Sequence, residues 1–478
     1  MRRIAALSVA AALSVAAALA ACGGHGGGGH ATTASPRGAR PVLARAHPCR
    51  GIPGFRCATL TVPLDHAGRT SGTLRLNVGY AASGTAPRGV PDAGTAPRGV
   101  LVFLTGGPGQ PGVRLIPKVH SQLAAAMSGY RLVMLDQRGT GAGALRCPAL
   151  QAAAGSSDLA SVPPGTVAGC ARRIGPDRRY YTTAETVADI DELRRALGAR
   201  AITLDGVSYG TFVAERYALA HPTAVARLVL DSVVPQQGVD PLYRAALTGS
   251  ARVLRSACAG QRQRCHSDPA SDIATITRRT PREAPDLLNA LVAESIVSPS
   301  FPGIPAALHA AAAGRPAALD RLLVGVKAGE TAPAEFLSQG LHESTLCLDL
   351  LAPYDPRSST AARAATLGRM ARESPASAFY PFDRATAIGS GIARGCLEWP
   401  PTDPPSLPAG NASGPLPSVP VLLLSGERDL STPLAWARQE AGHAPDGQLL
   451  AVPGAGHSVQ LRARDPAVRR ALAQFLAG

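Results

Sequence analysis

Ser208 stands between two glycines in the stretch Leu204-Asp205-Gly206-Val207-Ser208-Tyr209-Gly210-Thr211-Phe212. A serine hydroxyl is a weak nucleophile until a base takes its proton, and that base needs a carboxylate to orient it. Two distant segments supply these types: Gly426-Glu427-Arg428-Asp429 carries a carboxylate, and Pro453-Gly454-Ala455-Gly456-His457-Ser458 an imidazole. The chain order Ser, Asp, His is the order in which a serine on a sharp strand-to-helix turn finds its partners above a parallel sheet. The chemistry expected is attack of Ser208 on a carbonyl, with His457 as base and Asp429 orienting it. Asp231 is a rival acid, because it also ends an apolar run. Asp429 is preferred, because Gly426-x-x-Asp429-x-x-Thr432-Pro433 is the fuller pattern and Asp231 suits a structural turn. The oxyanion of the tetrahedral intermediate needs two backbone donors. Tyr209, next to the nucleophile, supplies one N–H. The other comes from Thr105-Gly106-Gly107-Pro108-Gly109, where Pro108 has no N–H, and Gly107 is taken as the donor.

These residues need a scaffold, and the apolar runs describe one. Val100 to Leu104, Arg131 to Leu135, Ala201 to Leu204, Leu228 to Leu230, Val421 to Leu424 and Gln448 to Val452 each end in polar or glycine-rich chemistry. Helical patterns lie between several of them, such as Thr186 to Leu197 and Gly210 to Ala220. Apolar strands alternating with helices predict a mostly parallel sheet covered on both faces, with its sites at the strands' carboxyl ends. Ala58 to Pro63 and Leu74 to Tyr80 alternate instead and predict an antiparallel pair joined by a turn at Asp65 to Gly72. GTAPRGV occurs at Gly84 and again at Gly94, a duplication suited to a surface loop. Pro235 to Pro417 breaks the strand–helix rhythm with helical patches, Leu287 to Ile296 and Pro305 to Ala313 among them, and predicts a helical cap inserted into the sheet region.

The chain of 478 residues is 45% hydrophobic and carries a formal net charge of +15, almost all from arginine, since lysine occurs only at Lys118 and Lys327. The arginines are dispersed, and no stacking motif or zinc pattern accompanies them, so nucleic acid is not expected as a partner. Arg2 and Arg3 followed by the alanine-rich run Ile4 to Ala21 predict an export signal, and Leu19-Ala20-Ala21-Cys22 predicts lipidation of Cys22. Gly23 to Ala46 reads as a flexible tether; its His25-Gly26-Gly27-Gly28 copies an oxyanion motif but lacks the strand before it and the helix after it. The other eight cysteines are even in number, as disulfides in an exported chain would be. Nearest-neighbour pairing gives Cys49–Cys57, Cys147–Cys170, Cys258–Cys265 and Cys347–Cys396. With no CxxC spacing, neither metal nor other cofactor is expected. The expected organisation is a signal peptide over 1–21, a lipidated end and linker over 22–48, the sheet region over 49–234 and 418–478, and the cap over 235–417.

With these residues placed, the chain resembles the exported tripeptidyl aminopeptidases and related proline iminopeptidase-like serine peptidases of the α/β-hydrolase superfamily. The likeness runs through Val62-Pro63-Leu64-Asp65, Gly106-Gly107-Pro108-Gly109, Asp136-Gln137-Arg138-Gly139-Thr140-Gly141, Gly206-x-Ser208-Tyr209-Gly210-Thr211 and Leu230-Asp231-Ser232-Val233-Val234. It continues through Cys347-x-Asp349, Gly426-x-x-Asp429-x-x-Thr432-Pro433 and Gly456-His457. The resemblance implies an α/β-hydrolase fold, a triad on Ser208, Asp429 and His457, and cleavage of short peptides from a free N-terminus; with the export signal and Cys22, the expectation is a monomer that is lipid-anchored on the outer face of the cytoplasmic membrane or secreted. Thr105 and Gln110-Pro111 replace the His and Gly of many relatives, which alters the mouth of the site rather than its backbone donors. An aminopeptidase needs a carboxylate for the substrate ammonium, and Glu343, Asp349 and Glu398 are the candidates in the cap. Two other readings share part of this pattern: an esterase or lipase with the same triad, and an envelope-tethered binding protein without catalysis.

Overall fold

The computed structural model describes residues 41–82, 98–259, 265, 267–349, 352–410 and 412–478. The expected signal peptide, Cys22, the His25–Gly28 stretch and most of the duplicated GTAPRGV segment lie outside the described residues. The strands are β1 (Leu43–Pro48), β2 (Phe55–Pro63), β3 (Thr73–Ala81), β4 (Val100–Leu104), β5 (Arg131–Leu135), β6 (Ile202–Val207), β7 (Val225–Asp231), β8 (Val421–Gly426) and β9 (Gly447–Val452). They join in one sheet in the order β1-β2-β3-β5-β4-β6-β7-β8-β9. β1, β2 and β3 are antiparallel, β3 meets β5 antiparallel, and the run from β5 to β9 is parallel.

The parallel strands read as continuous apolar runs because the pleat sends alternate side chains into two different cores. On β4, Val102 and Leu104 face one core while Leu101 and Phe103 face the other. Val133 and Leu135 oppose Leu132 and Met134 on β5 in the same way, as do Val421 and Leu423 against Leu422 and Leu424 on β8. Each such side chain contributes about 1.5–3 kcal/mol on burial. The first core is covered by α4 (Thr183–Ala196) and α5 (Tyr209–Ala220), with Val187, Ile190 and Leu193 of α4 along one face. The second is covered by α1 (Ile116–Leu123) and by the helix Pro466–Ala477, which offers Val468, Leu472 and Leu476 at helical spacing. Strand β6, which carries Ser208 at its carboxyl end, is buried along its whole length near the middle of the sheet.

β1 corrects the expectation of a linker reaching residue 48. Leu43–Pro48 pairs with β2 although nearly all of it is exposed, so it has none of the apolar alternation that marks a strand in sequence. The Arg56 guanidinium donates to Ala46 O (2.9 Å), and Cys49–Cys57 ties the strand's end to β2. The other three disulfides join Cys147 to Cys170, Cys258 to Cys265 and Cys347 to Cys396.

Between β7 and β8 the chain is helical from Arg244 to Glu398 with irregular connections, and it builds a core of its own from Leu247, Leu254, Leu288, Leu291, Phe301 and Phe379 among others. A second helical piece comes from the connection between β5 and β6. Its helices α2 (Pro148–Ala154) and α3 (Thr166–Ile174) pack through Leu150, Val167 and the Cys147–Cys170 bridge against Trp399. The sequence had assigned this stretch to the sheet region. The helical layer is therefore drawn from two separate connections.

Candidate active site

β6 ends at Val207, α5 begins at Tyr209, and Ser208 between them has φ 57° and ψ −126°. A side chain is strained in that conformation, which persists because its surroundings over-determine it. The Ser208 N–H donates to Asp231 O (2.9 Å), and Thr211 donates to Ser208 O through its N–H and its hydroxyl (both 2.8 Å). The two flanking glycines are required by space: a Cβ on Gly206 would lie 2.4 Å from Gly210 O, and one on Gly210 would lie 2.4 Å from Leu104 O. The sharp turn of a nucleophile elbow is thus built from backbone contacts between β6, α5 and β4.

Asp429 follows β8 and His457 follows β9, and their side chains meet. The His457 Nδ1–H donates to Asp429 Oδ2 at 2.8 Å. Thr432 Oγ1 donates to the same oxygen (2.6 Å), and the N–H groups of Ser431 and Thr432 hold Asp429 Oδ1 (2.8 and 2.9 Å). With Nδ1 committed, His457 Nε2 is the lone-pair nitrogen of the neutral ring. Burial opposes charging of His457, but the Asp429 carboxylate and its hydrogen bond outweigh it and hold the pKa above that of an ordinary histidine. His457 and Ser208 line one cavity, and no direct hydrogen bond joins them; such bonds are often long before substrate binds.

Asp231 does other work. Its carboxylate accepts from Val459 N and Gln460 N (both 2.9 Å), and the neighbouring Ser232 Oγ accepts from Ser458 N (2.8 Å). Asp231 therefore anchors the segment immediately after His457. Burial pushes its pKa up to about 6. Gln460 Nε2 extends the contact to Asp205 on β6 (2.7 Å), whose carboxyl burial pushes well above the usual range, with Asp231 adding to the effect.

The Tyr209 N–H is the first of α5 and has no acceptor within that helix, and the Gly107 N–H has no backbone partner among the described residues. The Gly107 loop is propped from two sides. Thr105 Oγ1 donates to Gln110 O (2.8 Å), and Gln137 Nε2 donates to Thr105 O (3.4 Å). This gives the Asp136-Gln137-Arg138-Gly139 motif a structural meaning. Asp136 accepts from Val113 N (2.9 Å) and Asn77 Nδ2 (3.1 Å). Arg138 is buried, pairs with Asp189 (2.7 Å) and donates to Leu64 O and Tyr180 O.

Two cavities meet at Ser208. The smaller, about 40 Å³, is lined by Tyr209, Phe212, Val234, Tyr243, Trp436 and other mostly apolar groups, with Asp158 and Asp349 as its carboxylates. The larger, about 610 Å³, is lined by Ser208, His457, Asp158, Glu294, Glu330, Lys118 and Arg462 among others. Ser208, Gly107 and Asp158 border both, but His457 borders only the larger.

Of the three carboxylates expected to receive a substrate amine, only Asp349 lines this site. It accepts from Thr183 N (2.6 Å), and burial pushes its pKa up to about 6. Glu343 and Glu398 are corrections. Glu343 turns toward Cys347 Sγ (3.5 Å), beside the Cys347–Cys396 bridge, Glu398 accepts from Gly165 N (2.8 Å), and neither lines the two cavities. Glu343 with the two bridged cysteines is also the one metal-like cluster among the described residues, and the disulfide leaves no thiolate there to bind an ion. Sequence reasoning missed Asp158. It sits between α2 and α3, half-buried, with no protein hydrogen-bond donor on its carboxylate among the described residues. His342 lies beside it, Nε2 to Asp158 Oδ1 at 3.7 Å, and donates from Nδ1 to Pro108 O of the Gly107 loop (3.1 Å). The Cys147–Cys170 bracket just beyond the carboxyl end of β5 was the available signal.

Residues 99–264 match the family model described as alpha/beta hydrolase fold, and residues 381–478 the model described as TAP-like protein. Over 201 residues the chain is 32% identical to a tripeptidyl aminopeptidase of Streptomyces coelicolor, covering 38% of this chain and 35% of that protein. It is 35% identical over 132 residues to a probable proline iminopeptidase of the same organism, covering 28% of this chain and 32% of that one. It is 27% identical over 240 residues to the serine protease Hip1 of Mycobacterium tuberculosis, covering 45% of this chain and 44% of that one. The matched segments thus span less than half the length of these relatives. By its sheet order, its strand-to-helix turn at Ser208 and these matches, the chain has the α/β-hydrolase fold.

Proposed function

We propose that the protein is a serine aminopeptidase that releases one small residue from the free N-terminus of short peptides. The observation that carries this reading is the unequal division of space around Ser208. A general acid must reach the leaving group, and His457 borders only the larger cavity, so the leaving peptide belongs there and the acyl residue belongs in the smaller one. A small apolar cavity with two carboxylates suits a single compact residue carrying an ammonium. In the reaction Ser208 Oγ attacks the scissile carbonyl while His457 Nε2 takes its proton. The N–H groups of Gly107 and Tyr209 receive the oxyanion, and the protonated His457, oriented by Asp429, hands its proton to the leaving amine. Water then enters by the same route and releases the acyl group.

Export and lipid anchoring at Cys22 belong to the same proposal. They are supported by Leu19-Ala20-Ala21-Cys22 and by four disulfides, which persist in oxidising compartments. No helix among the described residues is long and apolar enough to cross a membrane. Loss of membrane association in Cys22→Ala would support the anchor.

A panel of arylamides and esters tests the activity. Alanyl and prolyl arylamides should be cleaved faster than Ala-Ala-Ala-arylamide, and N-acetylated versions should be poor substrates. Preference for the tripeptidyl compound would replace single-residue release with tripeptide release. Preference for blocked compounds or simple esters would replace the aminopeptidase with an esterase. Failure to react with a fluorophosphonate probe would leave a binding protein.

A further inference from the structure

The larger cavity is lined by two cations that the chemistry at Ser208 does not use. Lys118 lies on α1, and Arg462 ends the helix Val459–Arg462 that directly follows His457; α1 packs against that helix. Lysine is rare in this chain, with Lys118 and Lys327 the only two, so a compact ammonium here departs from the general use of arginine. Neither side chain has a hydrogen-bond or ion-pair partner among the described residues, although both border the cavity. Both side chains are exposed over much of their surface; where they are covered, loss of water lowers both pKa values, and the charge of Arg462 adds to this at Lys118. Glu294 and Glu330 border the same cavity without acting on either cation: burial alone raises the Glu294 pKa, and Glu330 is held by Asn289 Nδ2 (2.9 Å).

Two neighbouring cations without a counter-ion repel each other, and an anion placed between them relieves that cost. The cavity they border is the one His457 borders, so its occupant is the leaving part of the substrate. A cavity of about 610 Å³ holds a few residues rather than a protein chain. The one anion that every such leaving peptide carries is its own C-terminal carboxylate. We propose that Lys118 and Arg462 form a subsite for the C-terminal carboxylate of the leaving peptide, so that the preferred substrates are short peptides with both ends free. The inference rests on the aminopeptidase reading and adds to it a limit on length and a requirement at the far end of the substrate.

The test uses the full chain and three probes: Ala-Ala-Ala as the free acid, the same peptide as its C-terminal amide, and alanyl p-nitroanilide, which has no carboxylate. The wild-type protein should favour the free acid over the amide by about tenfold in kcat/KM, mainly through KM, as expected for charge-assisted hydrogen bonds to a carboxylate. In Lys118→Gln and Arg462→Gln the acid-to-amide ratio should fall toward one, and in the double variant Lys118→Glu/Arg462→Glu it should invert. Because each ratio is taken within a single variant, changes in folding or in the triad cancel. Equal cleavage of acid and amide by the wild-type protein, or a ratio that survives the charge reversal, overturns the subsite. Failure to cleave any of the three probes overturns the aminopeptidase reading itself and the subsite with it, and is told apart because it appears without any variant.

Discussion

The carboxyl edge of the sheet and the helical layer above it handle polar groups in opposite ways. At the sheet edge the carboxylates that hold the reacting residues are committed. Asp429 receives four donors, Asp231 fixes two consecutive N–H groups, and Ser208 is tied to β7 through its own N–H. In the helical layer, among the described residues, Asp158 has no protein hydrogen-bond donor and Asp349 has one backbone partner. Fully satisfied networks are rigid, whereas unspent charges at a cavity wall are poised for a ligand. On the function proposed above, the sheet edge is the reaction machinery and the helical layer the selector, and substitutions in the two should fail differently.

The largest effect should come from the sheet edge. Ser208→Ala should lower kcat by roughly 10⁶-fold while leaving thermal unfolding near that of the parent, measured with alanyl p-nitroanilide and by calorimetry. Asp429→Asn should lower kcat by about 10⁴-fold, because the ring loses the partner that fixes its tautomer. Asp231→Asn is the control. It keeps one of two acceptors for Val459 and Gln460, so it should cost about 1–3 kcal/mol of stability and much less of kcat. A greater loss of turnover in Asp231→Asn than in Asp429→Asn would exchange their roles.

Substitutions in the helical layer should act on KM and on substrate choice. Asp158→Asn should raise KM for alanyl p-nitroanilide by about 10–100-fold, the range for losing a charge-assisted contact, and should scarcely touch a neutral ester. Glu343→Gln, beside the Cys347–Cys396 bridge, should leave the ratio of free-amino to blocked substrates as it was. If Glu343→Gln moved that ratio and Asp158→Asn did not, the selector would lie elsewhere.

The pH dependence sharpens the same contrast. Burial raises Asp349 to about 6, and raises Asp158 as well, with His342 and His457 opposing that rise. As pH falls through about 6, Asp349 protonates and its pull on an ammonium is lost. His457 also gains its proton on the acid side, but this slows free-amino and blocked substrates alike. The ratio of free-amino to blocked turnover should therefore fall, by roughly tenfold for one lost charge, between pH 7 and pH 5, and flatten in Asp349→Asn. The linkage to stability has a definite sign. A carboxyl raised in the folded state stabilises it fully below its unfolded pKa, and that contribution is lost as pH rises through about 6.

The sheet edge was legible in sequence because its chemistry follows from strand ends. Ser208, Asp429 and His457 each come a few residues after an apolar run, and the sheet brings those ends together. The selector was not legible. Asp158 sits in a connection between two short helices with no periodicity around it, and its approach to Ser208 depends on how two insertions far apart in sequence pack. Glu343 and Glu398 looked equally suitable because residue type says nothing about which way a helical side chain turns. β1 was missed for the opposite reason, since an exposed edge strand needs no apolar pattern. The Asp136-Gln137-Arg138-Gly139 motif could be read as a family signature but not as a prop for the Gly107 loop, because its partners Thr105 and Asp189 lie on other elements.

The two regions also touch at Ser295, where the smallest effect is expected. Ser295, near the end of the insertion helix Ala284–Val297, accepts the His457 N–H on its carbonyl (3.3 Å) and the Leu430 N–H on its hydroxyl oxygen (3.1 Å). Its own hydroxyl donates to Val292 O (2.7 Å). The Asp429 loop and the His457 loop are thereby fastened to the same turn of the selector. Ser295→Ala keeps the carbonyl contact and removes the hydroxyl, leaving the buried Leu430 N–H without its acceptor at a cost of about 1–3 kcal/mol. If the sheet edge holds its own geometry, kcat should fall only about threefold or less, since the contacts of Asp429 with Ser431, Thr432 and His457 remain. A loss approaching that of Asp429→Asn, measured with alanyl p-nitroanilide at equal folded fraction, would mean that the helical layer sets the triad's geometry and that the division between machinery and selector does not hold.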